Sequence, residues 1–590
     1  MPYSLYELLQ YFYVLIFCMM RKRISLLAGL FLISVFAQSQ QVTVIQKHYT
    51  IDCAKKLILI NQPVSLLNAQ FSAPYSSISL DVVYQFEQPV NELHKGFPYV
   101  VKNPENEEFQ LYFTELPVIK ITAPNWIVDE PKVYASFILT EPDGGEVSHG
   151  MGIELRGGSS LYYPKSNYLI ELWTDETGTA TEEISLLGMH SEDDWNLQAM
   201  YIEPLRIRSK TANQLWLEMY DLYYSALEPD AVCGIHAEYT ELFLNGNYRG
   251  IYAITERIDR KQLKIKKYDE EQGMRGELYK APVWGEGNLF NSLEPFDNQS
   301  LTWSGFEFIY PEEVTDWNNL YNFVDFVVNS TDTEFWENYQ QKFNLDNAVD
   351  YYIMLNLSMA IDNSGKNIYI ARYNNDEPYF YVPYDLDGTF GIIWDGTAHG
   401  WTSGILTNGF YDRLICDCSE NGFNQRLKDR WNSMRNSWLT ASHISGLFYS
   451  NFNLLYQNGV YMREEIALGQ YYNYNEDAYD YLDGWISQRL DVLDTKFNLP
   501  CNPQSIHDPN STEWFRVYPN PVSDKIGLWI AEEEQPISVQ LVTTDGKTIF
   551  TRQPVSGFQT FDVIGLSPGL YLLILQTGEH QTVERIIVAP

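Results

Sequence analysis

Hydrophobic and polar residues alternate in short runs near both ends of the chain, as in residues 41–45, 78–84 and 525–530. Alternation with a period of two, interrupted by Pro, Asn and Gly, indicates half-buried β-strands joined by turns. We therefore predict a small β-rich module at residues 40–115. About seven such runs follow residue 513, and they predict a β-sandwich. The intervening residues 498–512, rich in Pro, Asn and Ser, are predicted to be a linker.

The central part of the chain, residues 116–497, combines strand-like and helical periods. The pattern predicts strands at 117–122, 132–139, 151–156, 168–173 and 380–384, and helices at 205–222, 316–329, 346–360, 424–431 and 479–497. Residues 239–256 are predicted to form a hairpin that turns at Asn245 and Gly246, because Asn-Gly is a strong hairpin signal. Asp346 is the predicted N-cap of its helix. The chain is therefore expected to be an α+β protein with several cores.

Residues 20–39 have a basic start at 21–23, a hydrophobic stretch at 24–36 and small residues around Ala37. This order of segments predicts a secretory signal peptide within residues 1–39, with residues 1–18 as an upstream extension. The hydrophobic stretch is shorter than an ordinary membrane span, so we expect no transmembrane segment in the mature protein. An uncleaved signal anchor is the alternative.

The formal net charge of −37 becomes −39 without residues 1–39, which hold three of the 40 basic and one of the 77 acidic residues. Such a surplus of negative charge opposes binding to nucleic acid and favours basic partners. Removal of Cys18 leaves five cysteines, so at least one lacks an intramolecular partner, and the pairing stays open. Cys416 and Cys418 lack the further ligands of a zinc site. The chain contains no His-Glu-x-x-His and no Gly-x-Ser-x-Gly motif, which argues against zinc proteases and α/β-hydrolases.

The candidate chemistry is concentrated after the predicted helix at 346–360. Asp362 and Asn367 lie five positions apart in a predicted loop, and Asp385 and Asp387 follow a short apolar strand. An Asp and an Asn at this spacing, followed by further carboxylates, suit a site that orients a hydroxyl and holds a divalent metal ion for phosphoryl transfer. Two ordinary alternatives stay open, an Asx turn at Asp362 and the start of a calcium loop at Asp385.

A second candidate segment is a small polar turn between predicted strands. Residues 157–160 are Gly-Gly-Ser-Ser, and Lys165 follows them. Backbone N–H groups and hydroxyls in such a turn can bind phosphate oxygens while a lysine neutralises their charge. An ordinary hairpin turn with a solvated lysine is the alternative. Glu256, which closes the predicted hairpin, is either a buried carboxylate paired with a lysine or a solvated strand end.

Several motifs in this order resemble the CotH family, the spore-coat protein kinases. The motifs are IELRGGSSLYYPKSNYLIEL, DWNLQAMYIEPLRIRSKTANQL, YTELFLNGNYRGIYAITERID, DNSGKNIYIARY and YFYVPYDLDGTFG, all within residues 116–497. Residues 513–590 resemble the C-terminal sorting domain of type IX secretion cargo in Bacteroidota, through Val-Tyr-Pro-Asn-Pro at 517–521 and Ser-Pro-Gly-Leu-Tyr at 567–571. The resemblance implies an atypical two-lobed protein-kinase-like domain flanked by a small β-rich N-terminal module and a C-terminal Ig-like β-sandwich.

The kinase resemblance also implies a role for each candidate residue. Asp362 corresponds to the catalytic Asp that orients the substrate hydroxyl or accepts its proton. Asn367, Asp385 and, secondarily, Asp387 correspond to metal ligands. The residues implied to bind ATP are Arg156, Ser159, Ser160 and Lys165, with Glu256 as a candidate partner of Lys165. The chain departs from the family at Ser209, where members usually have Asn after Arg.

The resemblance therefore implies an exported kinase that transfers the γ-phosphate of ATP, with Mg²⁺ or Mn²⁺, to Ser or Thr of a secreted or cell-surface protein. Its expected partners are that protein substrate and the type IX secretion machinery. The acidic surface predicts a basic segment in the substrate. The alternative is a catalytically silent cell-surface binding or structural protein that retains the kinase-like fold.

Overall fold

The structure is a computed structural model that describes residues 40–71, 73–501, 515–518, 522, 525–530, 536–543, 546–554, 557–577 and 581–588. The predicted signal peptide and residues 502–512 of the predicted linker lie outside the described residues. The described part contains both helices and several separate sheets, which confirms the predicted α+β class.

The first seven strands form one mixed sheet in the order β1-β4-β5-β6-β7-β3-β2. They are β1 (Gln40–Thr43), β2 (Tyr49–Asp52), β3 (Leu57–Ile60), β4 (Tyr75–Ser79), β5 (Val83–Val90), β6 (Tyr99–Lys102) and β7 (Glu108–Phe113), and the short helix α1 (Val64–Gln70) precedes β4. Leu111 and Phe113 are buried in the core of this module, whereas Leu59 and Tyr112 on the opposite face pack against Phe243. Alternate residues of β7 thus serve two cores, as a strand with a period of two allows.

The next strands close into a seven-stranded barrel in the order β10-β11-β14-β16-β15-β8-β9. The bounds are β8 (Val118–Thr122), β9 (Val133–Thr140), β10 (Glu146–Arg156), β11 (Asn167–Trp173), β14 (Asp194–Gln198), β15 (Ala237–Leu244) and β16 (Asn247–Thr255), with a separate hairpin of β12 (Ile184–Ser185) and β13 (Ser191–Glu192). The predicted hairpin is confirmed as β15 and β16, which turn at Asn245 (φ 50°) and Gly246 (φ 73°). Because β8 is parallel to β15, and β9 is antiparallel to both β8 and β10, the strands β8, β10 and β15 end at one mouth of the barrel. This mouth carries the Gly-Gly-Ser-Ser turn.

A second sheet and most of the helices follow the barrel. The sheet has the order β18-β19-β17-β20-β21, with β17 (Glu277–Ala281), β18 (Thr302–Trp303), β19 (Phe306–Tyr310), β20 (Ile368–Arg372) and β21 (Tyr379–Pro383). The helices are α2 (Arg208–Met219), α3 (Arg260–Leu263), α4 (Asn318–Asn329), α5 (Asp332–Lys342), α6 (Leu345–Ser358), α7 (Gly409–Leu414), α8 (Phe423–Arg435), α9 (Ala441–Gln457), α10 (Val460–Leu468) and α11 (Asp477–Lys496). Trp216 of α2, Ile353 of α6, Ile370 of β20 and Leu490 of α11 share one large buried core, so the sheet and the helices are packed together.

The predicted cap of helix α6 is wrong. The helix begins at Leu345, and the N-cap is Asn344, whose side chain accepts a hydrogen bond from the backbone N of Asn347 at 2.8 Å. Both Asn and Asp are good cap residues, but Asp346 already has helical backbone geometry inside the first turn. Its carboxylate instead pairs with Arg426 at 2.7 Å.

The C-terminal strands form a three-stranded sheet, β22-β23-β26, and a four-stranded sheet, β25-β24-β27-β28. Their bounds are β22 (Phe515–Tyr518), β23 (Lys525–Ile530), β24 (Pro536–Thr543), β25 (Thr548–Arg552), β26 (Gly557–Asp562), β27 (Gly569–Thr577) and β28 (Gln581–Val588). Leu528 of the three-stranded sheet shares a buried core with Leu541 and Leu573 of the four-stranded sheet. The two sheets therefore enclose one core, as the predicted sandwich requires.

One disulfide, Cys418–Cys501, links the segment before helix α8 to the end of the central region across 83 residues. Cys53 is an exposed thiol and Cys233 a buried one. Among the described residues, no helix combines the length and the hydrophobicity that crossing a membrane requires.

Candidate active site

The predicted catalytic loop lies between helix α6 and strand β20. Asp362–Ser364 form one 3₁₀ turn. The buried side chain of Asn363 donates from Nδ2 to the carbonyl oxygens of Asn367 (2.7 Å) and Tyr384 (2.8 Å). The first bond closes the loop on itself, and the second ties it to Tyr384, which precedes Asp385. The segments that carry the predicted catalytic and metal-binding residues are therefore held side by side.

Asp362 forms an ion pair within this loop. Lys366 Nζ donates to Asp362 Oδ2 at 2.9 Å, and the two side chains are 30% and 22% exposed, respectively. The carboxylate thus bonds a side chain where an Asx turn would bond a backbone N–H. Asn367 is buried in a left-handed conformation (φ 54°), and within the described part of the chain its side-chain amide has no hydrogen-bond partner. That amide is therefore not committed to a hydrogen bond within the described residues.

Two half-buried carboxylates follow strand β21. Burial raises the pKa of Asp385, although the positive charges of Arg156 and Lys366 oppose the rise. Burial also raises the pKa of Asp387 well above its usual range, and repulsion from Asp385 and Asp362 adds to this effect. Three carboxylates thus lie close enough to repel one another, and a bound cation would relieve that repulsion.

Strand β10 ends at Arg156, which lies beside Tyr384 and close enough to Asp385 for their charges to interact. Its guanidinium donates to the hydroxyl of Tyr384 and lies 5.6 Å from the centre of that ring. In the turn that follows, Gly157 has φ 127°, which favours glycine, and Ser160 Oγ donates to the carbonyl oxygen of Arg156 at 3.5 Å. The turn is therefore folded back on its own backbone. The predicted ATP contact of the Ser159 side chain lies outside the described part of the structure.

Lys165 is buried, with 3% of its surface exposed. Its Nζ donates to Glu464 Oε1 at 2.9 Å and to the carbonyl oxygen of Ile251. Glu464 also accepts from Arg206 Nε at 3.2 Å and from the backbone N of Ile251 at 2.8 Å. Burial lowers the pKa of Lys165 to about 8, although the charge of Glu464 opposes the decrease. Lys165 is thus a fixed internal cation and not the solvated lysine of the alternative interpretation.

The predicted pairing of Glu256 with Lys165 is wrong. Glu256 is fully buried, which excludes a solvated strand end, and its carboxylate accepts from His190 Nδ1 (2.8 Å), His236 Nδ1 (2.9 Å) and Gln262 Nε2 (3.0 Å). Although burial acts in the opposite direction, the hydrogen bonds from both histidines hold the pKa of Glu256 below its usual range. The reason is geometric, because strand β16 starts at the mouth that carries Lys165 and runs away from it. Glu256 lies beyond the far end of that strand.

A narrow cleft of about 40 Å³ joins the candidate segments. Its walls contain five predicted site residues, Arg156, Ser160, Lys165, Asp385 and Asp387, together with Tyr163, Asn167, residues 198–202 and Ser209. Ser209, which replaces the usual Asn of the family, donates from Oγ to Gln198 Oε1 at 3.2 Å. Glu256 does not line this cleft. Asp362 and Asn367 do not line it either, but Asn363 connects their loop to the segment that carries Asp385, and the charge of Asp362 acts on Asp385.

The chemistry of these donors fits a divalent metal ion. Mg²⁺ and Mn²⁺ prefer carboxylate and amide oxygens, which Asp385, Asp387 and Asn367 supply. No group of three or more His, Cys, Asp or Glu residues in the described part of the chain has the geometry to hold a metal ion. The three aspartates near the cleft are thus not such a group, and an ion held by Asp385, Asp387 and Asn367 would need phosphate oxygens and water at its remaining positions.

Two charged residues of this site did not emerge from the sequence. Glu464 lies on helix α10, 299 positions from Lys165, within an Arg-Glu-Glu run that resembles a solvated helix face. No local pattern distinguishes it from its exposed neighbour Glu465. Lys366 lies inside the predicted catalytic loop, and its spacing of four from Asp362 was a usable signal.

These features define the class of protein. A family model described as CotH kinase protein matches residues 153–493, more than half of the 590-residue chain, and the chain belongs to this family. A second family model, described as a secretion system C-terminal sorting domain, matches residues 516–589. The chain is therefore a CotH family member with a type IX sorting domain, which indicates a secreted or cell-surface protein handled by that secretion machinery. Both resemblances stated from the sequence are confirmed. No curated protein matches the chain.

Proposed function

We propose that the protein is an exported kinase that transfers the γ-phosphate of ATP to a Ser or Thr hydroxyl of a secreted or cell-surface protein. One observation carries the proposal: the cations Arg156 and Lys165 line the same cleft as the carboxylates Asp385 and Asp387. Enzymatic phosphoryl transfer depends mainly on positioning and on neutralisation of charge. Cations beside a candidate metal site supply both.

Each residue has a part in this proposal. Phosphate oxygens are bound by Arg156 and Lys165. The first donates to the Tyr384 hydroxyl, and the second is paired with Glu464. Asp362 is partly exposed, so its carboxylate can orient the incoming hydroxyl and accept its proton, while its ion pair with Lys366 biases its orientation. Lys165 carries its charge below about pH 8, the pKa to which burial lowers it.

Asn367, Asp385 and Asp387 are the residues that would hold Mg²⁺ or Mn²⁺. When bound, the ion supplies positive charge to the β- and γ-phosphates. The chain contributes the repulsion among its carboxylates, which favours cation binding, and the uncommitted amide of Asn367. This part of the proposal predicts that metal binding depends on the two aspartates after strand β21.

The proposal includes the finer architecture implied by the resemblance. The barrel forms one lobe of a kinase-like domain, and the second sheet with its helices forms the other. Residues from both sides line the cleft, since Lys165 lies at the barrel mouth and Asp385 follows strand β21 of the second sheet. For the C-terminal sandwich we propose an Ig-like arrangement.

A catalytically silent cell-surface binding or structural protein is the second candidate. The narrowness of the cleft favours it, because about 40 Å³ is far below the roughly 300–1,000 Å³ of typical small-molecule sites. A nucleotide would have to open the cleft to bind. In this second case the fold is retained but turnover is absent.

Incubation of the mature protein with γ-labelled ATP and Mn²⁺ separates the two candidates. The kinase proposal predicts that label transfers to the protein itself or to an added surface-protein fraction, and that Asp362→Asn and Asp385→Asn abolish the transfer. The matched control is Asp395→Asn, because Asp395 is exposed in the loop that follows Asp387. Equal labelling of all variants, or no label in any, would contradict the kinase proposal.

A further inference from the structure

An exposed hydrophobic surface adjoins the catalytic loop. It is formed by Val283 and Trp284, which follow strand β17 and are 57% and 39% exposed. Strand β17 pairs with β20, and the carbonyl oxygen of Ala281 accepts from the backbone N of Asn367 at 2.8 Å. The position of the surface is therefore fixed by the sheet and by the end of the catalytic loop.

Trp284 rests directly on this loop at Gly365. A Cβ atom at Gly365 would lie 2.9 Å from Cζ3 of Trp284 and 2.5 Å from Cδ2 of Leu289, so a larger residue would require these side chains to move. The backbone N of Gly365 in turn donates to the carbonyl oxygen of Asp362 at 3.3 Å. The glycine thus lets an indole ring lie within one turn of the candidate catalytic carboxylate, with part of the ring open to solvent.

The charge around the loop is locally balanced, in contrast with the net charge of −37 for the whole chain. The groups that act on Asp385 include the cations Arg156, Lys280 and Lys366 and the carboxylate Asp362. These cations offset the carboxylates near the reacting position. The surroundings of the loop therefore give little reason for a basic flanking residue, whereas the indole offers a large apolar contact area.

We propose that Val283 and Trp284 form the substrate-docking surface, and that they bind a large hydrophobic side chain close to the Ser or Thr acceptor. This inference rests on the proposed kinase function. An extended segment advances by about 3.3 Å per residue, so a side chain one to three positions from an acceptor at Asp362 reaches the ring on Gly365. The substrate class is therefore a Ser or Thr flanked by Leu, Phe or a similar residue.

The test uses the mature full chain and labelled Ser-centred peptides flanked by Leu and Phe, by Lys, or by Asp. We expect wild type to bind and phosphorylate the hydrophobic peptides best. Trp284→Ala should weaken their binding at least about tenfold, as loss of a Trp anchor commonly does, and Trp284→Phe should recover part of it. Trp126→Ala is the matched control, because Trp126 is 93% exposed and lies at the barrel mouth, beside a different cavity.

Binding and transfer are measured separately so that the two proposals can fail separately. If hydrophobic peptides bind through Trp284 but receive no phosphate, the docking surface stands and the kinase proposal fails. If phosphate is transferred but Trp284→Ala changes neither peptide affinity nor flanking preference, the docking surface fails alone. A preference for Lys-flanked peptides overturns it, and so does a change in oligomeric state of Trp284→Ala with unchanged peptide binding, since Trp284 would then contact a second copy of the chain.

Discussion

Two lysine–carboxylate pairs of the candidate site lie in opposite environments. Lys165 and Glu464 have side chains that are 2% and 1% exposed, whereas Lys366 and Asp362 are 30% and 22% exposed. A buried pair is held by further hydrogen bonds and cannot lose one partner without leaving an uncompensated charge. An exposed pair exchanges partners with water and ligands at little cost. Under the kinase proposal, the buried pair belongs to a rigid phosphate-binding side and the exposed pair to an adaptable side where the substrate hydroxyl enters.

The largest effect is expected from breaking the buried pair with Glu464→Gln. Lys165 and Arg206 both lose their carboxylate partner inside the protein. We expect the free energy of unfolding to fall by about 3–5 kcal/mol, as measured by urea denaturation. Glu465→Gln on the exposed side of the same helix is the control and should change little. If the free energy of unfolding falls by less than about 1 kcal/mol in Glu464→Gln, the Lys165–Glu464 pair is not a rigid element of the fold.

A somewhat smaller effect is expected from Mn²⁺ and ATP binding. At about 100 times the Kd, a ligand stabilises the folded state by about 2.7 kcal/mol, which a thermal shift detects. Asp385→Asn should remove most of this shift, because one candidate metal ligand is lost and the repulsion that favours a cation is reduced. Asp395→Asn should retain it. An unchanged shift in Asp385→Asn would place the metal elsewhere.

The pH dependence of ATP affinity follows from the burial of Lys165. Because its pKa is lowered to about 8, the lysine is protonated below that pH and neutral above it. A neutral lysine cannot balance phosphate charge, so we expect ATP affinity to fall by up to about tenfold per pH unit as pH rises through about 8. Adenosine, which lacks phosphates, serves as the control and should bind equally well across the same range. ATP affinity that is constant or rises with pH would remove Lys165 from the phosphate site.

The smallest effect on stability is expected at the exposed pair. Lys366→Met should change the free energy of unfolding by less than about 1 kcal/mol, because both partners are partly solvated. The transfer rate should change more than the stability does, since Asp362 loses the group that orients it. Lys547→Met, at an exposed turn of the C-terminal sandwich, is the control for both measurements. A large loss of stability in Lys366→Met would make this pair structural.

The sequence predicted those features that depend on local order. The Asn-Gly hairpin and the five predicted helices of the central region form where their periods indicated, whereas α3, α5, α7, α9 and α10 were not predicted. Arg156, Lys165 and Asp385 line one cleft. Contacts between distant segments were beyond such reasoning. Glu256 is nearer to Lys165 in the sequence, but strand β16 carries it away from the mouth where the lysine lies. Glu464 reaches the lysine only because helix α10 packs against that strand.

The central claim is that both sides of the cleft hold one nucleotide, and a crystal structure with Mn²⁺ and a non-hydrolysable ATP analogue tests it most directly. The account predicts phosphates bound by Arg156 and Lys165, with the metal ion on Asn367 and Asp385. A nucleotide bound instead in the cavity of about 410 Å³ beside Trp126, or no bound nucleotide at saturating concentration, would contradict it.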